Sequence, residues 1–169
     1  MHEGTARNGN RLDVGGIALK SLATSLLLAA VLLSGCTSGT WLGDFKKDMA
    51  DNERWVLQHI GAGDQAVKDQ DYKEAKENYE TARTLATGAL LDVQSGGKFA
   101  SPPAEYADGP SFAIRLFQVL HDYADAQVSC VNDLAAGQDH FACAAAKGKS
   151  AGYEQASTDW KAWVASHPG

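Results

Sequence analysis

From residue 41 onward, apolar residues recur every three or four positions, which is the spacing of one face of an α-helix. The first such stripe comprises Trp41, Leu42, Phe45, Met49, Val56 and Ile60. Gly61 and Gly63 are expected to weaken or end this helix, because glycine is a poor helix former. A second stripe predicts a helix from Asp64 to about Leu91 and comprises Ala75, Tyr79, Ala82 and Ala86.

Two longer patterns predict the remaining helices. Between Phe112 and Ala136, apolar residues form two adjacent stripes, which is typical of a helix at the centre of a bundle. The last predicted helix runs from Asp139 to about Ala165, and small residues are expected to let it approach its neighbour closely: Ala144, Ala145, Gly148, Ala151 and Gly152. Together these patterns predict an all-α fold, a bundle of four to five helices that forms a single domain over residues 41–169.

The stretch between the second and third predicted helices, residues 94–111, is expected to be a long loop. It is punctuated by Gly96, Gly97, Pro102, Pro103, Gly109 and Pro110, and such residues interrupt helices. One helical turn is predicted near Tyr106. Loops longer than about 15 residues are often functional or disordered, and the aromatic residues Phe99 and Tyr106 favour packing or binding over disorder.

The start of the chain has a different pattern, a largely apolar block from Leu22 to Leu33 that contains no charged residue. This block is too short for a membrane-spanning helix, which needs about 20 apolar residues. It has the length of the apolar region of a signal peptide, and the basic residues Arg7, Arg11 and Lys20 precede it. Residues 1–35 are therefore expected to be a signal peptide that is removed on export.

The sequence Leu33-Ser34-Gly35-Cys36 resembles the lipobox of bacterial lipoproteins. The resemblance implies cleavage before Cys36 and attachment of lipid to its sulfur, which leaves residues 36–40 as a lipidated tether. In Gram-negative lipoproteins an Asp after that cysteine implies retention in the inner membrane. Because Thr37 stands there, the resemblance implies the outer membrane, with the domain on its periplasmic side. The alternatives are an ordinary signal peptide followed by an unmodified cysteine, or a buried helix that ends in Gly35-Cys36.

The segment after Cys36 is acidic, since residues 37–169 contain 12 Lys and Arg against 19 Asp and Glu. This imbalance disfavours nucleic acid as a partner, because phosphates require clustered cations. It also disfavours an electrostatic hold on anionic lipid, so the lipid on Cys36 is the expected attachment to the membrane.

Cys130 and Cys143 are the two cysteines that remain. Exported proteins often form disulfides. Residues 135–139 are predicted to contain a helix end, a short turn and an N-cap, which would bring the two sulfurs to similar heights on facing helices. A disulfide at this position would staple the helical hairpin.

A metal site is the alternative use of these residues, because Cys143 follows His140 by three positions and His121 lies upstream. Zinc sites usually contain paired short spacings between their ligands, and here a single short spacing is present. The disulfide is therefore the favoured prediction, and no metal or cofactor is expected.

Residues 70–85 resemble the second helix of a tetratricopeptide repeat. The positions of the pattern are filled by Tyr72, Ala75, Tyr79 and Ala82, while Gln70 replaces its turn glycine. The resemblance implies one hairpin of two helices with a groove around Tyr72 and Tyr79. The alternative is an amphipathic helix in which Ala and Tyr alternate by chance.

These features predict a non-catalytic lipoprotein that binds an envelope protein or peptide, because no nucleophile has an orienting base within reach along the sequence. Aromatic residues dominate binding hot spots, and the candidate contacts are Tyr72, Tyr79, Phe99, Tyr106, Trp160 and Trp163. For the two tryptophans, the other interpretation is that they close one end of the bundle. The alternative functions are an immunity, exclusion or inhibitor lipoprotein and, less favoured, a cell-wall enzyme or its regulator.

Overall fold

Helices account for nearly all of the regular structure in the computed structural model. It describes the backbone of residues 18–94, 96–138 and 141–168, and the side chains of residues 40–94, 96–138 and 142–168. Within this part of the chain there are four α-helices and no strands, so the predicted all-α fold is confirmed. The chain divides into two units, residues 1–38 and 39–169, and the second unit contains the hydrophobic core.

The helices are α1 (Ala18–Lys68), α2 (Tyr72–Val93), α3 (Gly109–Ala135) and α4 (Phe141–Ser166). A short 3-10 helix, Ala104–Tyr106, lies in the loop between α2 and α3, so both the loop and the helical turn near Tyr106 agree with the prediction. The helix α3 begins three residues earlier than predicted. Pro110 lies in its first turn, where the missing N–H of proline costs no hydrogen bond.

The predicted end of the first helix at Gly61 and Gly63 is wrong, because α1 continues to Lys68. Gly63 lies against the ring of Tyr79, and a Cβ at this position would be 2.7 Å from Tyr79 Cε1. This close packing between α1 and α2 compensates for the poor helix propensity of glycine.

The chain reverses instead at residues 69–71. Gln70 adopts a left-handed conformation with φ of 60°, and the N–H of Asp71 donates to the carbonyl of Ala66 at 2.9 Å. The Asp71 carboxylate then accepts from the N–H of Glu74 and caps α2. Gln70 thus occupies a position that favours glycine, which is the residue it replaces in the repeat pattern.

In the second unit, successive helices run antiparallel and α4 packs back against α1. A side-chain hydrogen bond links each pair of neighbouring helices. Asp64 with Tyr79 links α1 to α2, Arg83 with Asp125 links α2 to α3, Arg115 with Asp159 links α3 to α4, and Glu53 with Tyr153 links α1 to α4. The arrangement is a four-helix bundle in which α1 contacts both α2 and α4.

The small residues near the start of α4 do not pack as predicted. Ala144, Ala145, Gly148, Ala151 and Gly152 are all exposed, although a Cβ on Gly152 would contact Val119 at 3.4 Å. The inward face of α4 is formed by other residues, both small and large: Ala146, Tyr153, Ala156, Ser157, Trp160 and Trp163. The predicted N-cap Asp139 and the candidate ligand His140 lie outside the described residues.

The predicted signal peptide and Cys36 also fall largely outside the described part of the chain. Residues 1–17 are not described, and residues 18–39 are described as backbone alone. No helix in the described residues has both the length and the apolar character needed to cross a membrane.

Candidate binding surfaces

A disulfide joins α3 to α4, as predicted. The sulfurs of Cys130 and Cys143 are 2.03 Å apart and the Cα atoms 4.5 Å apart. Both thiols are therefore used, which contradicts a metal site that includes Cys143. The ring of His121 contacts its neighbour Asp122 instead, and the described residues contain no group of three or more potential ligands that could hold a metal ion.

A cluster of aromatic rings fills the opposite end of the bundle, which we call the aromatic end. Phe45 is at its centre and is fully buried. The other members are Trp41, Phe99, Tyr106, Phe112, Trp160, Trp163 and His167. Phe99, Trp160 and Trp163 are each less than 5% exposed. The side chains of these three residues are therefore packed inside the bundle, and Trp160 and Trp163 lie within the aromatic end.

Trp163 is fixed by specific contacts on several sides. Its Nε1 donates to the carboxylate of Asp108 at 2.9 Å, and a Cβ on Gly109 would lie 2.6 Å from the indole ring. The ring also stacks on His167 at a centroid distance of 4.5 Å, and the His167 carbonyl accepts from the Lys46 ammonium. The loop before α3 and the end of α4 are thereby joined to the start of the bundle.

Tyr106 lies at the edge of the aromatic end and is partly buried. Its ring is parallel to that of Trp41 within 4°, with centroids 6.0 Å apart. The indole Nε1 of Trp41 is buried and has no hydrogen-bond partner among the described residues. Of the loop residues predicted to contact a partner, Tyr106 is thus partly accessible, whereas Phe99 belongs to the core.

The two tyrosines of the predicted groove, Tyr72 and Tyr79, differ in their accessibility. Tyr79 is buried against Gly63, and its hydroxyl donates to Asp64 at 2.6 Å. Burial, with the bond to Asp64 and its charge, raises the pKa of Tyr79 far above its ordinary value. Tyr72 is partly buried at the first turn of α2. Tyr79 is therefore a structural residue, because a partner cannot reach its ring without unpacking the hairpin.

Trp55 on α1 is the tryptophan that the bundle leaves most accessible. Its side chain is 46% exposed, and the Arg54 guanidinium lies 5.4 Å from the centre of its ring. The sequence offered one signal for this exposure, since Trp55 lies beside the apolar stripe that contains Val56 and Ile60 rather than on it.

A small apolar cleft lies where α1, α3 and α4 meet. It has a volume of about 170 Å³, and its lining residues are Leu57, Ile60, Leu120, Tyr123, Ser150 and Tyr153. A wider opening of about 310 Å³ adjoins it between α1 and α4 and is lined by Ala50, Glu53, Arg54, Leu57, Tyr153 and Lys161. The two share Leu57 and Tyr153. Residues from three helices form the cleft, so helical periodicity in the sequence did not reveal it.

Polar groups beside the cleft are bonded to one another. The Glu53 carboxylate accepts from the Tyr153 hydroxyl at 2.9 Å and from the buried Ser157 hydroxyl at 3.2 Å. Burial is the main cause that raises the pKa of Tyr153 to about 12, and the bond to Glu53 adds to it. Burial likewise raises the pKa of Tyr123. These tyrosines are neutral at physiological pH and serve as walls rather than as acids or bases.

Comparisons with known proteins give no relative: no family model, curated protein or solved structure matches the chain.

Proposed function

We propose that this chain is a lipid-anchored envelope protein that binds a protein or peptide partner and performs no catalysis. The observation that carries the anchor is the order of basic residues, a short apolar block and Leu33-Ser34-Gly35-Cys36 ahead of the helical bundle. The side chain of the first core residue, Leu42, lies six positions after Cys36. Cleavage before Cys36 therefore removes none of the described core residues.

The lipid would place a particular end of the bundle next to the membrane. Trp41 follows Cys36 by five positions, and five residues span at most about 18 Å even when fully extended. The aromatic end, which begins at Trp41, is thus held close to the lipid surface. The turn at residues 69–71 and the disulfide are at the other end of the bundle.

The anchor is tested by replacing Cys36 with Ser in cells that carry the full gene. We expect the wild-type chain to incorporate labelled fatty acid and to fractionate with outer membranes, and the variant to do neither. Cys130→Ser is the matched control, because it removes a thiol from the disulfide and leaves Cys36 in place. Fatty-acid labelling that persists in Cys36→Ser would refute the anchor.

The surface around Trp55 is the proposed contact for the partner. Tryptophan and arginine are both enriched in binding hot spots, and here the exposed Trp55 lies beside Arg54 on α1. The binding role thus shifts from the buried tryptophans Trp160 and Trp163 to Trp55. A catalytic role has no comparable support, because the tyrosines with raised pKa are neutral parts of the packing.

The partner is sought by crosslinking in intact envelopes followed by purification of the chain. We expect specific crosslinked species with wild type and a strong reduction with Trp55→Ala. Leu91→Ala is the matched control, because Leu91 is also a large exposed apolar residue, at 60% exposure on α2. Equal crosslinking by both variants would contradict the Trp55 surface, and no specific species with the folded wild type would contradict the binding role.

A further inference from the structure

The cleft between α1, α3 and α4 has the composition of a site for a short apolar group. Leu120 and Ile60 are buried at its base, with Leu57 and the rings of Tyr123 and Tyr153 as partly buried walls. Ser150 is exposed at the rim. A cavity of about 150 Å³ lined by apolar side chains is large enough to bind benzene, so a volume of about 170 Å³ suits a ligand group of similar size.

The hydroxyl groups around the cleft already have partners, which leaves its inner surface apolar. Tyr153 donates to Glu53, Ser150 donates to the carbonyl of Lys147, and the Tyr123 oxygen accepts from Gln127. None of the described residues that line the cleft is charged. A charged group placed inside would lose its hydration without compensation, so the part of a ligand that enters the cleft must be apolar.

The adjoining opening supplies the charge. Its mouth carries Arg54 and Lys161. Arg54 is paired with Asp51 at 2.9 Å, whereas the exposed ammonium of Lys161 has no ion pair among the described residues. The carboxylate that lines the opening, Glu53, is occupied by Tyr153 and Ser157. Lys161 is therefore available to an anionic group at the mouth.

The distance between the apolar cleft and the cationic mouth of the adjoining opening determines the length of a ligand that reaches both. Along α4, Tyr153 in the cleft and Lys161 at the mouth are eight residues apart, which corresponds to about 12 Å at 1.5 Å per residue. The Lys161 side chain tilts toward the N-terminus of α4, and so toward the cleft, which shortens the span. An extended alkyl chain advances roughly 1.2 Å per bond, so a carboxylate with about eight carbons spans the remaining distance. The diacyl lipid of a membrane is much larger than the cleft.

We propose that this cleft binds a short-chain amphiphile, with its alkyl end between Leu57, Leu120 and Tyr153 and its carboxylate at Lys161. The site lies on the α1–α4 side of the bundle and does not depend on lipidation of Cys36 or on a partner at Trp55. Octanoate is the probe whose length and charge match the site.

The test uses the full chain carrying Cys36→Ser, so that no attached lipid interferes. Octanoate is titrated while the methyl resonances of Leu57, Ile60 and Leu120 are followed by NMR, and affinity is measured by calorimetry. We expect saturable shifts at these methyl groups. Unchanged methyl resonances at saturating octanoate, or shifts confined to other residues, would overturn the proposal.

Two pairs of variants test the two parts of the site. Ser150→Leu places a large side chain at the rim and should abolish saturable binding, whereas Ala145→Leu adds the same side chain at an exposed position of α4 that does not line the cleft. Lys161→Gln should weaken octanoate about two- to fivefold, as for an exposed ion pair, and leave 1-octanol unchanged. Lys147→Gln is its control. Equal binding by Ser150→Leu and Ala145→Leu would overturn the site, and an equal loss of octanol and octanoate with Lys161→Gln would overturn the assignment of the carboxylate.

Discussion

The two ends of this bundle are held together by different means. The aromatic end contains the rings around Phe45, joined by the long loop and the last turns of α4. The other end, which we call the cystine end, contains the turn at residues 69–71 and the disulfide between Cys130 and Cys143. Large rings bury much apolar surface, whereas a disulfide acts mainly by restricting the unfolded chain.

The helix α4 shows the difference within one element. In the second half of α4, Ala156, Ser157, Trp160 and Trp163 are buried. Between residues 142 and 152, Ala146 is the one described residue that is buried. The described side chains of the first half therefore bury little surface, and the covalent bond at Cys143 holds this part of α4 to α3. The expected consequence is that the ends respond differently to the loss of a ring and of the disulfide.

The largest effect is expected at the aromatic end, from Phe45→Ala. Phe45 contacts the rings of Trp41, Phe99, Trp160 and Trp163, so its removal leaves a cavity that these rigid side chains fill poorly. We expect a loss of about 3–5 kcal/mol in the free energy of unfolding, measured by urea denaturation. Trp55→Ala is the control on the same helix and should change it by less than about 0.5 kcal/mol. A loss for Phe45→Ala as small as that of the control would contradict the central role of this ring.

The second largest effect is expected at the cystine end, from the double variant Cys130→Ser and Cys143→Ser, which removes the disulfide. The cysteines are 13 positions apart, and a loop of similar length predicts a loss of about 3 kcal/mol. We further expect amide hydrogen exchange to accelerate in the first half of α4, while the amides around Trp160 keep their protection.

The control for this experiment is Cys36→Ser, which keeps the disulfide. Its exchange pattern over α4 should equal that of the wild-type chain. If opening the disulfide accelerates exchange equally in both halves of α4, the two ends are not independent and the comparison fails.

Features that follow from local sequence patterns could be predicted, whereas features that depend on tertiary contacts could not. The four helices were predictable because their apolar stripes have helical spacing, and the disulfide because two cysteines flank a turn at Gly137. The end of α1 was not, because glycine propensity is local and the packing of Gly63 against Tyr79 is a tertiary contact. The true turn requires a left-handed Gln70, for which side-chain identity gives no signal.

Aromatic residues show the limit for the candidate sites. Trp55 and Trp160 have the same side chain, yet the first is exposed and the second buried. Trp55 lies beside the apolar stripe of its own helix, which is a signal for exposure. The environment of Trp160 depends on how α4 packs against α1, and the stripe on one helix does not specify the rotation of its neighbour. The cleft beside Tyr153 is hidden from sequence for the same reason, since its lining comes from three helices.

A third, smaller effect concerns two glycines of α1 on the side of the cystine end. Gly63→Ala would put a Cβ 2.7 Å from the ring of Tyr79, whereas a Cβ at Gly61 would have no neighbour within 4 Å. We expect Gly63→Ala to reduce the free energy of unfolding by about 1–3 kcal/mol through overpacking. Gly61→Ala should increase it by about 0.5–1 kcal/mol, because alanine favours the helix. If urea denaturation shows that Gly63→Ala lowers the free energy of unfolding and Gly61→Ala raises it, the cystine end also depends on close packing at one point. If both variants were stabilised, the contact between Gly63 and Tyr79 would have no such role.

The smallest effect is expected at alkaline pH, from Tyr153, which lies where the two halves of α4 meet. Its pKa is raised to about 12 in the folded chain, mainly by burial, against about 10 in the unfolded chain. Between these values the unfolded chain has released the phenolic proton and the folded chain has kept it, so the stability contributed by Tyr153 is complete below pH 10 and is lost as the pH rises to 12. Tyr153→Phe cannot ionise, and its free energy of unfolding should fall less steeply over this range. A slope remains in the variant because burial also raises the pKa of Tyr123. If the free energy of unfolding falls equally steeply with pH in the wild-type chain and in Tyr153→Phe, the Tyr153 hydroxyl is not buried against Glu53. The well-packed half of α4 would then begin after residue 153.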